Sequence, residues 1–493
     1  MEDPRIRKFA QFLIRSAVEL QKGEKILIEL HGSETGLMKA LVQEAYAVGG
    51  KPFIHIFDYG VEGALVQGAD AEHMEEIAAY ELQRMKDMDA YIDIRATTNI
   101  SMWHNVSDEA QRRYRQYYWG PIHLSQRCNH TKWSVLRYPN DAMAQLAGVS
   151  TEEYEDFYFR ACLVDYDKMG RAMQPLQDLM ARTDKVRIVA PGTDISFSIK
   201  GIPSFGMHGN RNIPDGEIYT SPVKNSVNGH ITYNVPSPYD GFLFRDVYLE
   251  FKDGKIVKAT SNNTDYMNEI LDIDEGARYI GEFAFGVNPV ITHPIGDILF
   301  DEKIAGSFHL TPGNSYDNAS NGNHSAVHWD LIQIQTPEYG GGEIWFDDVL
   351  IRKDGQFLPE DLQCLNPENL LDEESGQIKL VLAGGAGNQK EYEEIKELAA
   401  HCRYPVRFAG CVPQVELAKL YNDGDIFVLP SMYEGLPLTV IESLACGDRV
   451  VMTRLDGVAD WLEDMIPDAD IRYVDLPKMK GADDICCNSE HLT

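Results

Sequence analysis

The stretch VRIVAPGTDISFSIKG, residues 186–201, marks the point where the pattern of the chain changes. Short runs of alternating apolar and polar residues are separated here by Pro, Gly and Asp, which is typical of β-strands joined by tight turns. The pattern continues to about residue 371, with Asp253-Gly254 and Asp354-Gly355 as predicted hairpin turns. We therefore predict a β-rich α+β domain over 184–371, interrupted by one or two helices, notably near residues 265–273.

The residues before this stretch follow a different pattern, in which strand-like and helical runs alternate. Lys25–Leu30, Pro52–Phe57 and Ala90–Ile94 are predicted strands, and residues 34–48 have apolar side chains at helical spacing. Such alternation is typical of an α/β domain with a parallel or mixed sheet. We assign this domain to residues 1–183.

The residues after 371 form the third part of the chain. Residues 372–377 are polar and acidic, and we predict a linker there. The α/β alternation then returns over 378–477, which predicts a partial doubly wound, Rossmann-like domain, and an irregular tail follows over 478–493. The predicted fold class is therefore α/β and α+β, multidomain.

The composition excludes some classes of partner. The 493 residues carry 45 Lys and Arg against 77 Asp and Glu, a formal charge of -32. Nucleic acids and anionic membranes both require clustered cations, so neither is an expected partner. The eight cysteines form no CxxC pair, and no apolar run reaches about 18 residues. We expect a cytoplasmic protein with reduced thiols.

Five polar residues lie alone in apolar, strand-like segments of the middle domain. They are Glu217, Glu282, His309, His328 and Asp330. His328 and Asp330 are two residues apart in SAVHWDLIQI, so on a strand their side chains point to the same side. A buried polar group without a partner costs several kcal/mol, so these five groups need partners.

Two kinds of partner fit these residues. Lys or Arg could serve, although Lys303 is the only such cation near the five segments. Three carboxylates and two imidazoles also suit two divalent ions with a bridging carboxylate and a bridging water. Taken singly, Glu217 is also compatible with a surface position and His309 with a hydrogen-bonded core histidine. The chain has no HExxH, so the common one-zinc peptidase helix is absent from the sequence.

Four motifs resemble the dimetal aminopeptidases of the thermophilic type, the aminopeptidase T and aminopeptidase S family. They are NIPDGEIYTSP (212–222), IGEFAFGVNP (280–289), DEKIAGSFHLTPGNSY (301–316) and NHSAVHWDLI (323–332). The resemblance covers about residues 1–371. It implies two metal ions per chain, Zn, Co or Mn, bound by Glu217, Glu282, His309, His328 and Asp330. It also implies a homodimer.

The resemblance further implies a metal-dependent aminopeptidase that releases N-terminal amino acids from peptides with a free N-terminus, through a metal-bridging hydroxide. Glu282 would either bridge the metals or relay a proton to the leaving amine. Tyr316 would be a further ligand or a donor to the developing oxyanion. One departure from the family lies in the loop HLTPGNSYDNAS, where a more apolar start is expected.

The last part of the chain resembles a different family. KLVLAGGAG (379–387) and YNDGDIFVLPSMYEGLPLTVIESLACG (421–447) are similar to the nucleotide-sugar half of GT-B glycosyltransferases of group 1. Glu434 and Glu442 match the E-x7-E of that family, which implies a nucleotide-sugar site. The acceptor half and the first strand of the donor half are missing, so we expect an inert fused fragment. The alternatives are a nucleotide-sugar-binding module fused to a non-catalytic metal-binding protein, or a scaffold without catalysis.

Overall fold

A computed structural model describes residues 3–99, 101–239, 241–371, 380–385, 389–400, 406–431, 433–467, 469–475, 479–481 and 484–485. The chain divides into two compact units, Met1–Ser375 and Gly376–Thr493. The predicted linker at 372–377 and most of the predicted tail lie outside the described residues. The boundary between residues 183 and 184 and the other domain limits stay predictions.

The first unit combines short helices with three main sheets. Its strands are β1 (Lys25–Gly32), β2 (Lys51–Phe57), β3 (Ala90–Ala96), β4 (Lys132–Arg137), β5 (Lys185–Ala190), β6 (Thr193–Ser198), β7 (Phe205–Met207), β8 (Asn212–Ile213), β9 (Glu217–Thr220), β10 (Asn228–Thr232), β11 (Ser237–Tyr239), β12 (Phe242–Phe244), β13 (Tyr248–Lys252), β14 (Lys255–Thr260), β15 (Ile280–Gly286), β16 (Ser307–Pro312), β17 (Leu331–Ile334), β18 (Glu343–Phe346), β19 (Val349–Lys353) and β20 (Gln356–Phe357).

The α-helices of this unit are α1 (Pro4–Phe12), α2 (Thr35–Ala47), α3 (Tyr59–Gly68), α4 (Ala71–Lys86), α5 (Asp108–Arg113), α6 (Cys128–His130), α7 (Asp141–Ala147), α8 (Thr151–Cys162), α9 (Tyr166–Arg182), α10 (Thr264–Leu271), α11 (Ile298–Asp301) and α12 (Pro367–Leu370). Wider π-helical turns cover Leu13–Ala17 and Tyr114–Arg127. Helix starts carry the expected caps: the carboxylates of Asp58 and Asp70 each accept a backbone N–H of the first turn.

The first sheet is parallel throughout, with strand order β2-β1-β3-β4-β8. Strand β1, which lies between β2 and β3, is an almost continuous buried apolar run, as expected where helices cover both faces of a parallel sheet. The predicted strands and the helix over residues 34–48 are confirmed. Residues Asn212–Ile213 join this sheet although they lie beyond residue 183 in the chain.

The other two main sheets are antiparallel and lie in the middle of the chain. One has eight strands in the order β14-β13-β10-β6-β5-β18-β19-β20, and the other has five in the order β17-β16-β15-β9-β7. Both predicted hairpin turns are confirmed: Asp253 and Gly254 have φ of 49° and 85°, and Asp354 and Gly355 have 49° and 83°. A single apolar core extends from Phe9 to Leu370 and includes side chains of all three sheets.

One predicted strand is shorter than expected. The strand in SAVHWDLIQI begins only at Leu331, so His328 and Asp330 precede it rather than lying within it. His328 still makes one isolated antiparallel bridge with Gly313. Strand β16 ends at Pro312, where the chain turns at Gly313. It is therefore too short to pair with residues 327–330 along their length.

The second unit has the alternating elements that the sequence predicts, but not as one sheet. Its strands are β21 (Leu380–Ala383), β22 (Val406–Gly410), β23 (Ile426–Leu429), β24 (Arg449–Thr453), β25 (Ile471–Val474), β26 (Met479–Gly481) and β27 (Asp484–Ile485), and its helices are α13 (Gln389–Ala400), α14 (Gln414–Asp423), α15 (Leu438–Cys446) and α16 (Val458–Met465). Strands β21 and β22 form one parallel pair, and β23, β24 and β25 form a separate parallel sheet.

Two further observations concern the whole described chain. None of its helices is both long and apolar enough to cross a membrane. Five cysteines are described, and all five are free thiols: Cys128, Cys162, Cys364, Cys411 and Cys446. The other three, Cys402, Cys486 and Cys487, lie outside the described residues.

Candidate metal centre

The pairing of three strands places candidate ligands on one face of the five-stranded sheet. Ala284 on β15 is opposite His309 on β16 and opposite Tyr219 on β9. Glu282 lies two residues before Ala284, and Glu217 lies two residues before Tyr219. Because side chains two apart on a strand point to the same face, Glu217, Glu282 and His309 converge there.

The opposite face of β15 fixes the position of this strand. Phe283 and Phe285 point into the core, where their rings contact Phe197 at 5.1 Å and Phe346 at 6.2 Å between centroids. Both phenylalanines are fully buried. The alternation of the sequence EFAF therefore directs the apolar side chains into the core and Glu282 away from it.

His328 and Asp330 reach the same face from the segment before β17. The Nε2 atom of His328 lies 3.5 Å from Oδ1 of Asp330, so the two side chains point to the same side. Trp329 between them is buried and donates its indole N–H to Ser237 at 2.9 Å. Although the segment is not a regular strand, its extended backbone keeps the two-residue alternation.

Glu282 lies between the two histidines. Its Oε1 atom is 3.5 Å from Nε2 of His309, and its Oε2 atom is 3.3 Å from Nε2 of His328. Nε2 of His309 is also 3.6 Å from Oε2 of Glu217. Each oxygen of the Glu282 carboxylate therefore faces a different imidazole.

The five side chains form two groups that share Glu282. One ligand atom from each of Glu217, Glu282 and His309 lies within 4.8 Å of the others, and the same holds for Glu282, His328 and Asp330. Among the described residues these are the groups of three or more His, Cys, Asp or Glu with metal-binding spacing. The structure thus brings together all five predicted ligands. His324 is exposed and belongs to neither group.

Neighbouring polar groups orient two of these ligands. The hydroxyl of Thr311 donates to Oδ1 of Asp330 at 2.6 Å. The Nδ1 atom of His328 lies 3.0 Å from the backbone oxygen of Asn314. A proton on Nδ1 donated to that carbonyl leaves the Nε2 lone pair free toward the carboxylates, as in many metal-binding histidines. Neither Thr311 nor the carbonyl of Asn314 could be identified from the sequence, because their roles depend on contacts between strands.

Lys303 is the cation nearest to the group of Glu217. Its Nζ atom is 2.7 Å from Oε1 of Glu217 and 2.6 Å from Oε1 of Glu302, and the side chain is 1% exposed. Oε2 of Glu217 faces His309 instead. The sequence indicated Lys303 as a nearby cation but not Glu302. The feature of the sequence that could have identified Glu302 is the charged run DEK inside an otherwise apolar segment.

The buried carboxylates and imidazoles of the site shift one another's pKa values strongly. Burial alone would lower the pKa of both histidines, but the surrounding carboxylates raise the pKa of His309 to about 9 and that of His328 to about 10. Burial would raise the pKa of Glu282, yet hydrogen bonds with the same two imidazoles lower it to about 2. Protons on the imidazoles or bound divalent cations can neutralise the negative charge of these carboxylates.

Tyr316 lies at the edge of the site. Its ring is 5.0 Å from that of His328 and 5.4 Å from that of Tyr219, between centroids. Although its side chain is 46% exposed, desolvation is the largest effect on the hydroxyl, and it raises the pKa of Tyr316 well above its usual range together with the carboxylates of Glu282 and Asp330. The hydroxyl is therefore a proton donor at neutral pH.

The donor set fits divalent metal ions. Carboxylate oxygens and imidazole nitrogens are ordinary ligands of zinc, cobalt and manganese. The Glu282 carboxylate has one oxygen toward each group, and His328 already has the hydrogen bond that orients a ligand imidazole.

The two glutamates of the second unit have protein partners of their own. Glu434 lies before α15 and accepts a hydrogen bond from the hydroxyl of Ser431 at 2.6 Å. Glu442 lies within α15 and accepts one from the side-chain amide of Gln414 at 3.0 Å. A role of Glu434 and Glu442 in nucleotide-sugar binding therefore stays a prediction.

Comparison with known families separates the same two regions. Residues 2–357 match the family described as thermophilic metalloprotease (M29), and residues 360–473 match that described as glycosyl transferases group 1. The second region is 34% identical over 87 residues to an uncharacterized glycosyltransferase of Methanocaldococcus jannaschii, which corresponds to 18% of this chain and 22% of that protein.

Curated relatives of the first region are named as aminopeptidases. Aminopeptidase 2 of Geobacillus stearothermophilus is 25% identical over 415 residues, covering 71% of this chain and 95% of that protein. Aminopeptidase T of Thermus aquaticus is 24% identical over 409 residues, covering 72% and 96%. The solved structure of wild-type AmpT from Thermus thermophilus is similar in fold, with a TM-score of 0.63 at 19% identity over 73% of this chain and 100% of that one.

Proposed function

This chain belongs to the thermophilic metalloprotease (M29) family and is a metal-dependent aminopeptidase, and we propose that its reaction takes place at the two groups of residues that share Glu282. The observation that supports this site most directly is the position of the Glu282 carboxylate, with one oxygen toward His309 and the other toward His328. Relatives covered over nearly their full length carry the name aminopeptidase.

Each group would hold one divalent ion, zinc, cobalt or manganese. Glu217, Glu282 and His309 form the first site, and Glu282, His328 and Asp330 form the second. When bound, such ions supply Lewis-acid chemistry, because they polarise a carbonyl group and make a water molecule acidic near neutral pH.

The geometry favours a bridging role for Glu282 over proton transfer. Both of its oxygens already face a histidine, and the side chain is 3% exposed, so neither oxygen is directed at a substrate. Tyr316 is more exposed and keeps its proton at neutral pH. Its hydroxyl would donate a hydrogen bond to the oxyanion that develops on the first peptide carbonyl.

The substrate class follows from the family rather than from the charge of the site. Relatives covered over nearly their full length are named as aminopeptidases, enzymes that release residues from the N-terminus of a peptide. The proposed substrates are therefore peptides with a free N-terminus.

Metal analysis combined with peptidase assays tests this proposal. We expect about two divalent ions per chain and hydrolysis of leucine- and arginine-anilides that a chelator abolishes and added metal restores. Reconstitution with zinc, cobalt and manganese in turn identifies the preferred ion. Full turnover by the metal-stripped protein would contradict the proposal.

The second unit has no proposed role in catalysis. The relative that it resembles extends far beyond the matched part, since the match covers 22% of that protein. A half-site without its acceptor domain is expected to be inert. Glu434 and Glu442 would be the contacts if a nucleotide sugar bound, and calorimetric titration with UDP- and GDP-sugars tests this alternative.

Two further properties belong to this proposal, the first implied by the resemblance and the second by the composition. The protein is a homodimer, which size-exclusion chromatography with light scattering tests directly. It works in the cytoplasm, as its composition and its thiols suggest, and cell fractionation with a specific antibody tests this location.

A further inference from the structure

A cavity lies at the carboxyl edge of the parallel sheet, apart from the residues of the metal centre. It has a volume of about 260 Å³ and is lined by Tyr59, Arg95, Thr97, Asn99, Met102, Trp103 and Arg137. Tyr59 follows β2, Arg95 lies near the end of β3, and Arg137 ends β4. Small molecules bind preferentially at this edge of α/β sheets, outside the carboxyl ends of the strands. None of the residues of the metal centre lines the cavity.

Two guanidinium groups are the main charged features of this cavity. The Nε atom of Arg95 donates to Oδ2 of Asp93 at 2.9 Å, and Nε of Arg137 is 2.9 Å from Oδ2 of Asp297. In the described part of the chain, the terminal nitrogens of Arg95 and Arg137 make no hydrogen bond to protein. Arg95 is thus anchored by a hydrogen bond and Arg137 by an ion pair, and both have their terminal N–H groups available for a ligand.

The support of Arg95 is buried and fixed. Asp93 is 5% exposed, and its second oxygen, Oδ1, lies 3.3 Å from Nε2 of His31. The ring of His31 is in turn held against Phe57, with 4.7 Å between centroids. A guanidinium oriented by a buried carboxylate loses little conformational entropy when it binds an anion, so this site is preorganised.

The walls of the cavity are flat and apolar. The indole N–H of Trp103 donates to the backbone oxygen of Tyr59 at 3.0 Å, and the two rings meet edge to face at 6.2 Å. Met102 adds a flexible apolar side chain. An occupant therefore needs an anionic group for the arginines and tolerates a small apolar or aromatic substituent.

The charged side chains that line the cavity are all positive, although the chain as a whole is acidic. The chain carries 77 acidic residues against 45 basic ones, yet none of the seven residues that line the cavity is Asp or Glu. Two arginines with free N–H groups match the paired acceptor oxygens that a carboxylate or a phosphate presents. The volume is below the roughly 300–1,000 Å³ of pockets for drug-sized molecules, so the ligand is small.

We propose that this cavity is a binding site for a small organic anion, a carboxylate or a phosphate, held by Arg95 and Arg137 beside the rings of Tyr59 and Trp103. The site is separate from the metal centre and does not depend on the function proposed for it. Thr97 and Asn99 supply further polar groups at its wall.

Titration of the full chain with defined anions tests the proposal. Acetate, phenylacetate and inorganic phosphate are added separately while binding is followed by calorimetry and by tryptophan fluorescence. We expect saturable binding of at least one probe with a millimolar or lower Kd. Binding of phosphate alone assigns the phosphate class, and binding of the carboxylates alone assigns the carboxylate class.

Two variants and their controls locate the binding. Arg137→Gln should weaken binding at least about tenfold, whereas Arg187→Gln, which removes the same charge from an exposed pair with Asp194, should not. Met102→Glu adds a carboxylate at a 42% exposed position and so avoids the buried contacts, and it should also weaken binding, while Met102→Gln should not. No saturable binding of any probe by the wild type, or unchanged Kd in both Arg137→Gln and Met102→Glu, would overturn the proposal.

Discussion

Glu282 is the residue on which both halves of the proposed metal centre depend. It is the one side chain common to the two groups, and its two oxygens are divided between His309 and His328. The remaining ligands each belong to one group, so the effect of a substitution should depend on which group it changes.

Substitutions of single ligands should therefore differ in the number of ions lost. Asp330→Asn should remove about one ion per chain, whereas Glu282→Gln should weaken both sites and lower kcat/KM by at least about 100-fold. Metal content is measured by mass spectrometry after dialysis. His324→Ala is the control, because His324 lies in the same stretch but in neither group. Equal metal content in Glu282→Gln and the wild type would contradict a shared ligand.

The hydroxyl of Thr311 should set metal affinity without being a ligand. Its hydrogen bond to Asp330 is the contact that orients this carboxylate. Thr311→Val keeps the shape and removes the donor, so metal affinity should fall by about 10- to 100-fold, while Thr311→Ser should stay near the wild type. Competition with a chromophoric chelator measures both affinities. An unchanged affinity in Thr311→Val would mean that the position of Asp330 is fixed by the backbone alone.

Among the elements, β15 is positioned most tightly. Its Phe283 and Phe285 are packed in the core on one face, and its backbone approaches the residues after β16 closely at Gly281. A Cβ atom at Gly281 would lie 2.3 Å from the backbone oxygen of Asn314 and 2.4 Å from that of Gly313. The same Asn314 oxygen orients His328.

Gly281→Ala should therefore disturb both stability and the metal centre. The strand must shift to accept the methyl group, at a cost of about 1–3 kcal/mol in the free energy of unfolding. Differential scanning calorimetry should show a lower Tm, and metal affinity should fall as Glu282 moves. Gly68→Ala is a matched control, since a Cβ there meets nothing within 4 Å. A normal Tm for Gly281→Ala would show that β15 is not held as closely as the contacts indicate.

The π-helical segment Tyr114–Arg127 should make the first unit sensitive to acid. Burial, with a smaller contribution from Arg127, lowers the pKa of His123 to about 4. Because this value is below the roughly 6.5 of an unfolded histidine, its contribution to stability is complete above pH 6.5 and is lost as the pH falls toward 4. The loss is at most about 3 kcal/mol.

Replacement of His123 by phenylalanine should remove this part of the acid sensitivity. The Tm difference between His123→Phe and the wild type should move in favour of the variant as the pH is lowered from 7 to about 4.5. His130→Phe, at an exposed position, should follow the wild type. Parallel pH profiles for His123→Phe and the wild type would exclude His123 as a source of the effect.

On the scale of the whole molecule, the two units differ in how well their apolar side chains are buried. The first has one continuous core that includes side chains of its three main sheets. In the second, strands β21–β22 and β23–β24–β25 are separate, and apolar side chains such as Ile426, Val428 and Leu438 are at least half exposed. This is the pattern expected of a fragment whose covering elements are missing.

A chain that ends at Leu371 should consequently keep its activity. All five proposed ligands lie in the first unit, and a domain with its own core can fold alone. We expect kcat/KM on an amino-acid anilide within about twofold of the full chain and the same metal content. Loss of activity in a shortened chain with unchanged circular dichroism would show that the second unit contributes to the site.

Much of the local structure was predictable because it depends on short-range geometry. The two-residue alternation of EFAF and of HWD fixes which side chains share a side, and the Asp-Gly pairs fix two hairpin turns. Extension of the strand back to His328 was wrong, because a strand needs a partner and β16 ends at Pro312. The α/β alternation expected for the second unit is confirmed, whereas its division into two separate parallel sheets could not be predicted, since strand pairing is not a local property.

By itself, the sequence determined the types of ligand and their local orientation: three carboxylates and two imidazoles, each alone in an apolar segment. Only the tertiary structure decided that Glu282 lies between His309 and His328, that Thr311 holds Asp330, and that Arg95 and Arg137 line one cavity. The physical reason is that alternation along a strand follows from backbone geometry, whereas these contacts join residues far apart in the chain through strand register and sheet order.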